Sequence, residues 1–122
     1  MSQPGPVTEA VAERLADAMF ALSAPSRVLI VGLLLGGPRS VSDLTEALGM
    51  EQSAVSHQLR VLREHRLVRA ESAGRRRLYA LYDEHVAALL DAGLHHVQRD
   101  HAAPGAADTR RPETDGAAGA AS

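Results

Sequence analysis

Two short helix-forming stretches between residues 40 and 68 are separated by Gly49, and this arrangement constrains the fold more than any other feature. Ser40 or Ser42 is suited to begin the first stretch, because a serine hydroxyl caps a helix amino end and glycine readily ends a helix. The second stretch, EQSAVSHQLRVLREHRLV, has an aliphatic side and a side rich in Ser, His and Arg. Two short helices joined by a glycine-containing turn predict a helix-turn-helix, whose second helix enters the DNA major groove.

The segments before this motif also read as helices. Thr8 is a candidate N-cap for a first helix, along which apolar residues recur at helical spacing. Pro25 suits the first position of a second helix, and the run VLIVGLLL that follows is apolar enough to require a central place. With two Tyr, one Phe and no Trp in 122 residues, the core is expected to be aliphatic. The fold class is therefore mainly α with a small β-hairpin.

Basic residues concentrate after the motif, although the formal net charge of the chain is −2. The segment from Arg60 to Arg77 contains seven arginines and two acidic residues. Within it, LVRAES and RRLYAL predict two strands joined at Ala73-Gly74-Arg75, which is a hairpin with a cationic tip. A solvated charged face is the alternative interpretation, but next to a recognition helix such a wing is suited to neutralise DNA phosphates.

These residues together resemble the ArsR/SmtB family. The resemblance covers "ALSAPSRVLIVGLLL", "SVSDLTEALGMEQSAVSHQLRVLREHRLV" and "GRRRLYAL", and it extends from about residue 11 to residue 101. It implies a bacterial winged helix-turn-helix transcription factor that dimerises through its N- and C-terminal helices and leaves operator DNA when a metal ion or other effector binds. The implied DNA-contacting residues are Gln52, Ser53, Ser56, His57, Gln58, Arg60, Arg75, Arg76 and Arg77.

Four of the six histidines fall in one predicted helix, from Asp83 to His101. His85 and His96 are eleven residues apart, so they share a helix face but lie roughly 16 Å apart along the axis. One ion, with ligand bonds of about 2 Å, joins them only if an antiparallel second copy brings its own His96 beside His85, which creates two equivalent sites in a twofold dimer. Two alternatives remain: the polar side chains are a solvated surface, or Asp83 only caps the helix.

The Asp-x-His pattern with a second histidine eleven residues later is similar to the C-terminal-helix sensor site of the SmtB branch, and it implies Asp83, His85 and His96 as metal ligands. Arg99 stands where that branch has His or Glu, and a guanidinium cannot ligate a metal. The fourth ligand is then His101, which resembles an additional histidine of nickel- and cobalt-responsive actinobacterial members, or else His95, Asp100, water or the N-terminus.

The donor chemistry restricts the metal. The chain has no cysteine, so a metal must bind through nitrogen and oxygen, and imidazole with carboxylate suits Ni(II), Co(II) or Zn(II). We expect Ni(II) in preference to Co(II) and Zn(II). A winged-helix regulator with a different effector or no metal response is the alternative.

Other classes of function fit less well. A small metal-dependent hydrolase lacks support, because the sequence has no glycine-rich phosphate loop, nucleophile elbow or aromatic pocket. A pure interaction protein does not account for the cationic wing. The absence of an apolar run of about 18 residues and of a secretion signal predicts a cytoplasmic protein with no membrane partner. We expect a flexible segment at 1–7, one domain at 8–101, and a disordered tail at 102–122, which is rich in small residues.

Overall fold

The computed structural model describes residues 3–102, and their side chains as far as residue 99. Residues up to Ala87 belong to one compact unit, and the described residues from Ala88 onward belong to a second. Within the described residues the chain forms five helices and two strands: α1 Glu9–Ala21, α2 Pro25–Leu34, α3 Val41–Leu48, α4 Gln52–Glu64, β1 Val68–Ala73, β2 Arg76–Leu81 and α5 Glu84–Ala102. The mainly α architecture with one hairpin is as predicted.

The helices begin where the sequence indicates. The Thr8 hydroxyl accepts a hydrogen bond from the Val11 amide at 3.2 Å, and Pro25 occupies the first turn of α2. Of the two serines suited to begin α3, the structure selects Ser40. Its hydroxyl accepts from the Asp43 amide at 3.0 Å, while Asp43 Oδ2 accepts from the Ser40 amide at 3.1 Å. This reciprocal capping box satisfies two amides that would otherwise lack partners in the first turn.

A residue with a left-handed backbone conformation ends each of the two helices of the helix-turn-helix. Gly49 closes α3 with a φ of 68°. After α4, Arg66 adopts a φ of 56°, its amide donates to the Arg63 carbonyl, and the Leu67 amide donates to the Leu62 carbonyl at 2.9 Å. This pair of bonds is a Schellman motif, and it is completed here by an arginine at a position that favours glycine.

The core is aliphatic, as the shortage of aromatic residues predicts. The single phenylalanine, Phe20, is 72% exposed. The core is built from buried aliphatic residues of α1 to α4 and of the two ends of the hairpin. They are Ala21, Ile30, Val31, Leu34, Leu44, Val55, Leu59, Leu62, Leu67, Val68 and Ala80. Because the buried side chains of α4 all lie on one face, packing fixes which face of this helix remains in solvent.

The hairpin is antiparallel, and its register pairs Val68 with Leu81 and Ala73 with Arg76. Gly74, with a φ of 64°, makes the tight turn between the strands. Val68 and Leu81 therefore pair at the base of the hairpin, while Arg75, Arg76 and Arg77 lie at or near its tip.

A backbone bridge that the sequence does not suggest joins the hairpin to the segment before α3. The Arg39 amide donates to the Tyr79 carbonyl at 2.9 Å, and the Tyr79 amide donates to the Arg39 carbonyl at 2.7 Å. The wing is thus connected by main-chain hydrogen bonds to the start of the helix-turn-helix.

Among the described residues, no single helix combines the length and apolar character needed to cross a membrane. By length and composition alone, α1 and α2 pass as a pair, but they meet at a bend of 90°. Three apolar residues of α2, namely Ile30, Val31 and Leu34, are buried in the core of the first unit.

Candidate nucleic-acid interface and histidine helix

Helix α4 presents a polar surface opposite its buried face. Val55, Leu59 and Leu62 are buried, which directs the other side of the helix to solvent. Five of the six residues predicted from this helix to contact DNA are exposed: Gln52, Ser53, Ser56, His57 and Arg60. Their hydroxyl, imidazole and guanidinium groups can bond base edges and phosphates.

Gln58 differs from the other five predicted residues of α4. It is half-buried, and its Oε1 accepts a hydrogen bond at 2.9 Å from Nη1 of Arg27, which lies in α2. The Arg27 Nε also donates to the carbonyl of Ala21, the last residue of α1. Sequence reasoning missed Arg27, because a residue 31 positions before Gln58 gives no local signal of the contact.

The three wing arginines have different surroundings. Arg75 is exposed at the tip, in the turn between the strands. Arg76 Nη2 lies 3.2 Å from Asp43 Oδ2, and the Arg77 guanidinium carbon lies 5.7 Å from the centre of the Tyr79 ring. A guanidinium at that distance from an aromatic ring is within range of a cation–π attraction.

Asp43 has two roles: it completes the capping box of α3 with Ser40, and it forms an ion pair with Arg76 of the wing. The backbone amide and the hydroxyl of Ser40, followed by the charge of Arg76, hold the pKa of the Asp43 carboxyl below its usual range. These partners favour the ionised form, in which the carboxylate accepts hydrogen bonds and attracts the guanidinium. The capping box is visible in the sequence as a serine followed three residues later by an acid, but the pairing with the wing is not.

Arg63, near the end of α4, lines an open groove together with residues of both wing strands. Glu71 and the three wing arginines also line this groove. Glu71 also forms an ion pair with Arg69. The groove thus joins the recognition helix to the wing through a surface in which cations outnumber acids.

The start of α5 brings two predicted metal ligands together. Asp83 Oδ1 accepts a hydrogen bond from the Val86 amide at 3.0 Å, so Asp83 does cap the helix. Its second oxygen, Oδ2, lies 3.9 Å from Nδ1 of His85, whose side chain is 90% exposed. Capping occupies only one carboxylate oxygen, which leaves the other available as a ligand.

Farther along α5, His96 is exposed. The neighbouring His95 contacts Asp91 instead: its Nδ1 lies 2.9 Å from the Asp91 carbonyl oxygen and 3.5 Å from the Asp91 carboxylate. His101 falls within α5, but its side chain lies outside the described residues. In the part of the chain that the structure describes, no three His, Asp or Glu side chains gather within a single copy to hold a metal.

An apolar stripe lies exposed on α1. Val11, Leu15 and Met19 recur every four residues on one face and are 38%, 53% and 42% exposed, respectively. On α5, Leu89 and Val97 are 40% and 56% exposed. Contiguous exposed apolar residues of this kind mark surfaces that associate with other proteins.

Comparisons with known proteins agree on one family. A family model described as "Bacterial regulatory protein, arsR family" matches residues 24–70. The chain is 51% identical over 96 residues to the HTH-type transcriptional regulator NmtR of Mycobacterium tuberculosis, covering 79% of this chain and 80% of that protein. It is 38% identical to a transcriptional repressor SmtB homolog of Synechocystis, covering 79% of this chain and 73% of that one.

Solved structures give the same result. The solution structure of apo-NmtR has 46% sequence identity and a TM-score of 0.68, and the match covers 92% of each chain. A homodimeric winged helix-turn-helix DNA-binding domain from Mycobacterium bovis has 28% identity and a TM-score of 0.70, covering 92% of this chain and all of that one. These matches confirm the winged helix-turn-helix prediction for the fold.

Proposed function

The chain belongs to the ArsR family of bacterial regulatory proteins, and from that premise we propose that it is a homodimeric transcriptional regulator that binds operator DNA and responds to a divalent transition metal. A regulatory role agrees with the expectation that the chain is not an enzyme. DNA binding would take place in the cytoplasm, where the bacterial chromosome lies.

The observation that carries the DNA-binding role is the continuity between the exposed polar face of α4 and the arginine-rich wing. Ser56 and Arg60 stand on the solvent side of α4, and Arg63 shares a groove with the wing. A helix of this kind reads base edges in the major groove, while wing arginines bind phosphates and release counterions. Gln52, Ser53, His57, Arg75, Arg76 and Arg77 complete the proposed interface.

Dimerisation is supported by the apolar stripe of α1 and by the homodimeric relative from Mycobacterium bovis. Burying Val11, Leu15 and Met19 against a second copy removes apolar surface from water, which favours association. We propose that α5, which also exposes apolar residues, takes part in the same interface.

For the metal, we propose that Asp83 and His85 act with His96 of the partner subunit. The donor set fits such an ion: one carboxylate oxygen and one imidazole already lie 3.9 Å apart, both ligands are exposed, and imidazole with carboxylate suits Ni(II), Co(II) and Zn(II). Bound metal would supply positive charge and a crosslink between protomers. His101 or water is proposed to complete the ligand set, and Ni(II) is proposed as the preferred ion.

A direct test measures binding of the full chain to the duplex upstream of its own gene, by fluorescence anisotropy, with and without Ni(II), Co(II) or Zn(II). We expect the dimer to prefer this duplex to random DNA and its affinity to change with metal, most strongly with Ni(II). Equal affinity for this duplex and for random DNA would contradict the proposed function. Specific binding that no metal alters would favour the alternative, a winged-helix regulator with another effector.

A further inference from the structure

Arg27 connects three helices through one side chain. It lies in the first turns of α2, a helix anchored in the core by Ile30, Val31 and Leu34. From there its Nε donates to the carbonyl of Ala21 at the end of α1, and its Nη1 donates to Gln58 Oε1 in α4 at 2.9 Å.

The chemistry of the side chain suits this arrangement. A guanidinium presents its N–H groups in a planar, rigid fork, so two acceptors bound by one Arg27 are fixed relative to each other. A positive charge at the carboxyl end of α1 is also favourable, because the last carbonyls of a helix carry partial negative charge. Since Arg27 is half-buried, losing either acceptor would leave part of its hydrogen-bonding capacity unsatisfied.

The two helices that Arg27 joins have different surfaces. Within the described chain, α1 has one fully buried residue, Ala21, at the end where Arg27 binds, and it carries the exposed stripe Val11, Leu15 and Met19. On α4, Gln58 directly follows His57 and stands two residues before Arg60, both on the exposed polar face. A shift or rotation of α4 at Gln58 would therefore also move His57 and Arg60.

We infer that Arg27 is a positioning residue that couples the helix with the dimerisation stripe, α1, to the recognition helix, α4, by bridging Ala21 and Gln58. This inference rests on the proposed DNA-binding function. It assigns Gln58 a role inside the protein, as the acceptor that receives the guanidinium, rather than a role as a base-contacting residue. The position of α1 in the dimer and the orientation of α4 toward DNA are then set together.

A double-mutant cycle tests the link. Arg27→Met and Gln58→Leu each remove one side of the hydrogen bond and keep a side chain of similar length or volume. We expect each single variant to bind the operator about tenfold more weakly, which corresponds to one hydrogen bond to a charged group. The double variant should bind the operator no more weakly than whichever single variant has the lower affinity, because both changes remove the hydrogen bond between Arg27 and Gln58.

Two further measurements separate positioning from DNA contact and from loss of folding. Affinity for random duplex should change little, so discrimination between operator and random DNA falls. The slope of log K against log salt should match that of the wild type, because Arg27 neutralises no phosphate. Circular dichroism and sedimentation check the fold and the dimer. If Arg27→Met does not give a folded dimer, Arg27→Lys, which keeps the cation without the fork, replaces it in the cycle.

Matched controls are Arg14→Met, at an exposed arginine of α1, and Gln98→Leu, at an exposed glutamine of α5. Both should bind operator like the wild type. The inference is overturned if the variants at Arg27 and Gln58 keep wild-type affinity, if their losses add, or if Arg27→Met lowers the salt slope by one phosphate equivalent. Failure of the wild type itself to prefer the operator would instead contradict the proposed function.

Discussion

Arg76 of the wing and Asp43 of α3 form an ion pair, with 3.2 Å between Nη2 and Oδ2, although they are 33 residues apart. The two side chains are 61% and 43% exposed, respectively, so solvent screens the pair and it contributes little to the free energy of unfolding. Its effect is geometric: together with the backbone bridge between Arg39 and Tyr79, it connects the hairpin to the amino end of the helix-turn-helix. The three wing arginines are therefore not equivalent.

The tip arginine should make the larger phosphate contribution. We expect Arg75→Ala to reduce the slope of log K against log salt by about one phosphate equivalent, and Arg76→Ala to reduce it less, because Arg76 is already paired with Asp43. Anisotropy titrations over a range of salt concentrations measure both slopes. Arg14→Ala, on α1, is the control. An unchanged slope in Arg75→Ala would remove the wing tip from the interface.

Arg60 should contribute to sequence discrimination. If its guanidinium forms a bidentate bond with a base, Arg60→Ala lowers the preference for operator over random DNA by about 1 to 3 kcal/mol. Competition titrations with both duplexes measure this difference. Equal losses on the two DNAs would indicate a phosphate contact instead.

Stability should fall in acid partly through Asp43. Its pKa is depressed in the folded protein by Ser40 and Arg76, so its contribution is present above the unfolded-state pKa of about 3.9 and is lost as the pH falls through the lower, folded value. Urea unfolding should therefore show that Asp43→Asn is less stable than the wild type at pH 6 and that the difference narrows at pH 3. Glu46→Gln, at an exposed carboxylate of the same helix, is the control. A difference that is constant with pH would contradict the assignment.

Arg66 is strained at the end of α4. Because a residue with a Cβ at a φ of 56° costs roughly 1 kcal/mol relative to glycine, we expect Arg66→Gly to raise the free energy of unfolding by up to about 1 kcal/mol. The same change at Arg63, within the helix, should lower it by about 1 kcal/mol. Urea denaturation of both variants measures the two effects. Destabilisation by Arg66→Gly would mean that the arginine side chain contributes more than its backbone strain costs.

The proposed metal site predicts one ion per protomer, with protons released on binding and weaker binding in acid, because imidazole ligates in its neutral form. His85→Ala and His96→Ala should each abolish tight binding, since each site needs both residues. Isothermal titration calorimetry measures stoichiometry and affinity. His95→Ala is the control and should bind metal like the wild type, because His95 is directed toward Asp91.

Mixed dimers test whether the site joins two protomers. A heterodimer of His85→Ala and His96→Ala chains keeps one site with both histidines and has one site with neither, so half of the tight binding should return. A site built within one chain would give no recovery. Loss of binding in His95→Ala but not in His96→Ala would show that the metal binds to the His95 face of α5.

Local features of the sequence determined most of the elements. Thr8, Ser40 and Gly49 act on their own neighbourhoods, through a capping hydroxyl or a left-handed backbone, and each begins or ends a helix as predicted. The shortage of aromatic residues predicted an aliphatic core, and the spacing of apolar residues in α4 predicted which face would be buried. These properties depend on contacts within a few residues, so they can be read from a single sequence.

Tertiary structure decided how the same residue types divide their roles. Arg75 and Arg76 are adjacent in sequence, but only the tertiary placement of the hairpin, bridged to the segment before α3, brings Arg76 to Asp43. Gln58 looks equivalent to its polar neighbours until α2 places Arg27 beside it. Each of these assignments depends on which partner lies within about 3 Å, and partners distant along the chain are fixed by packing of the whole core rather than by local pattern.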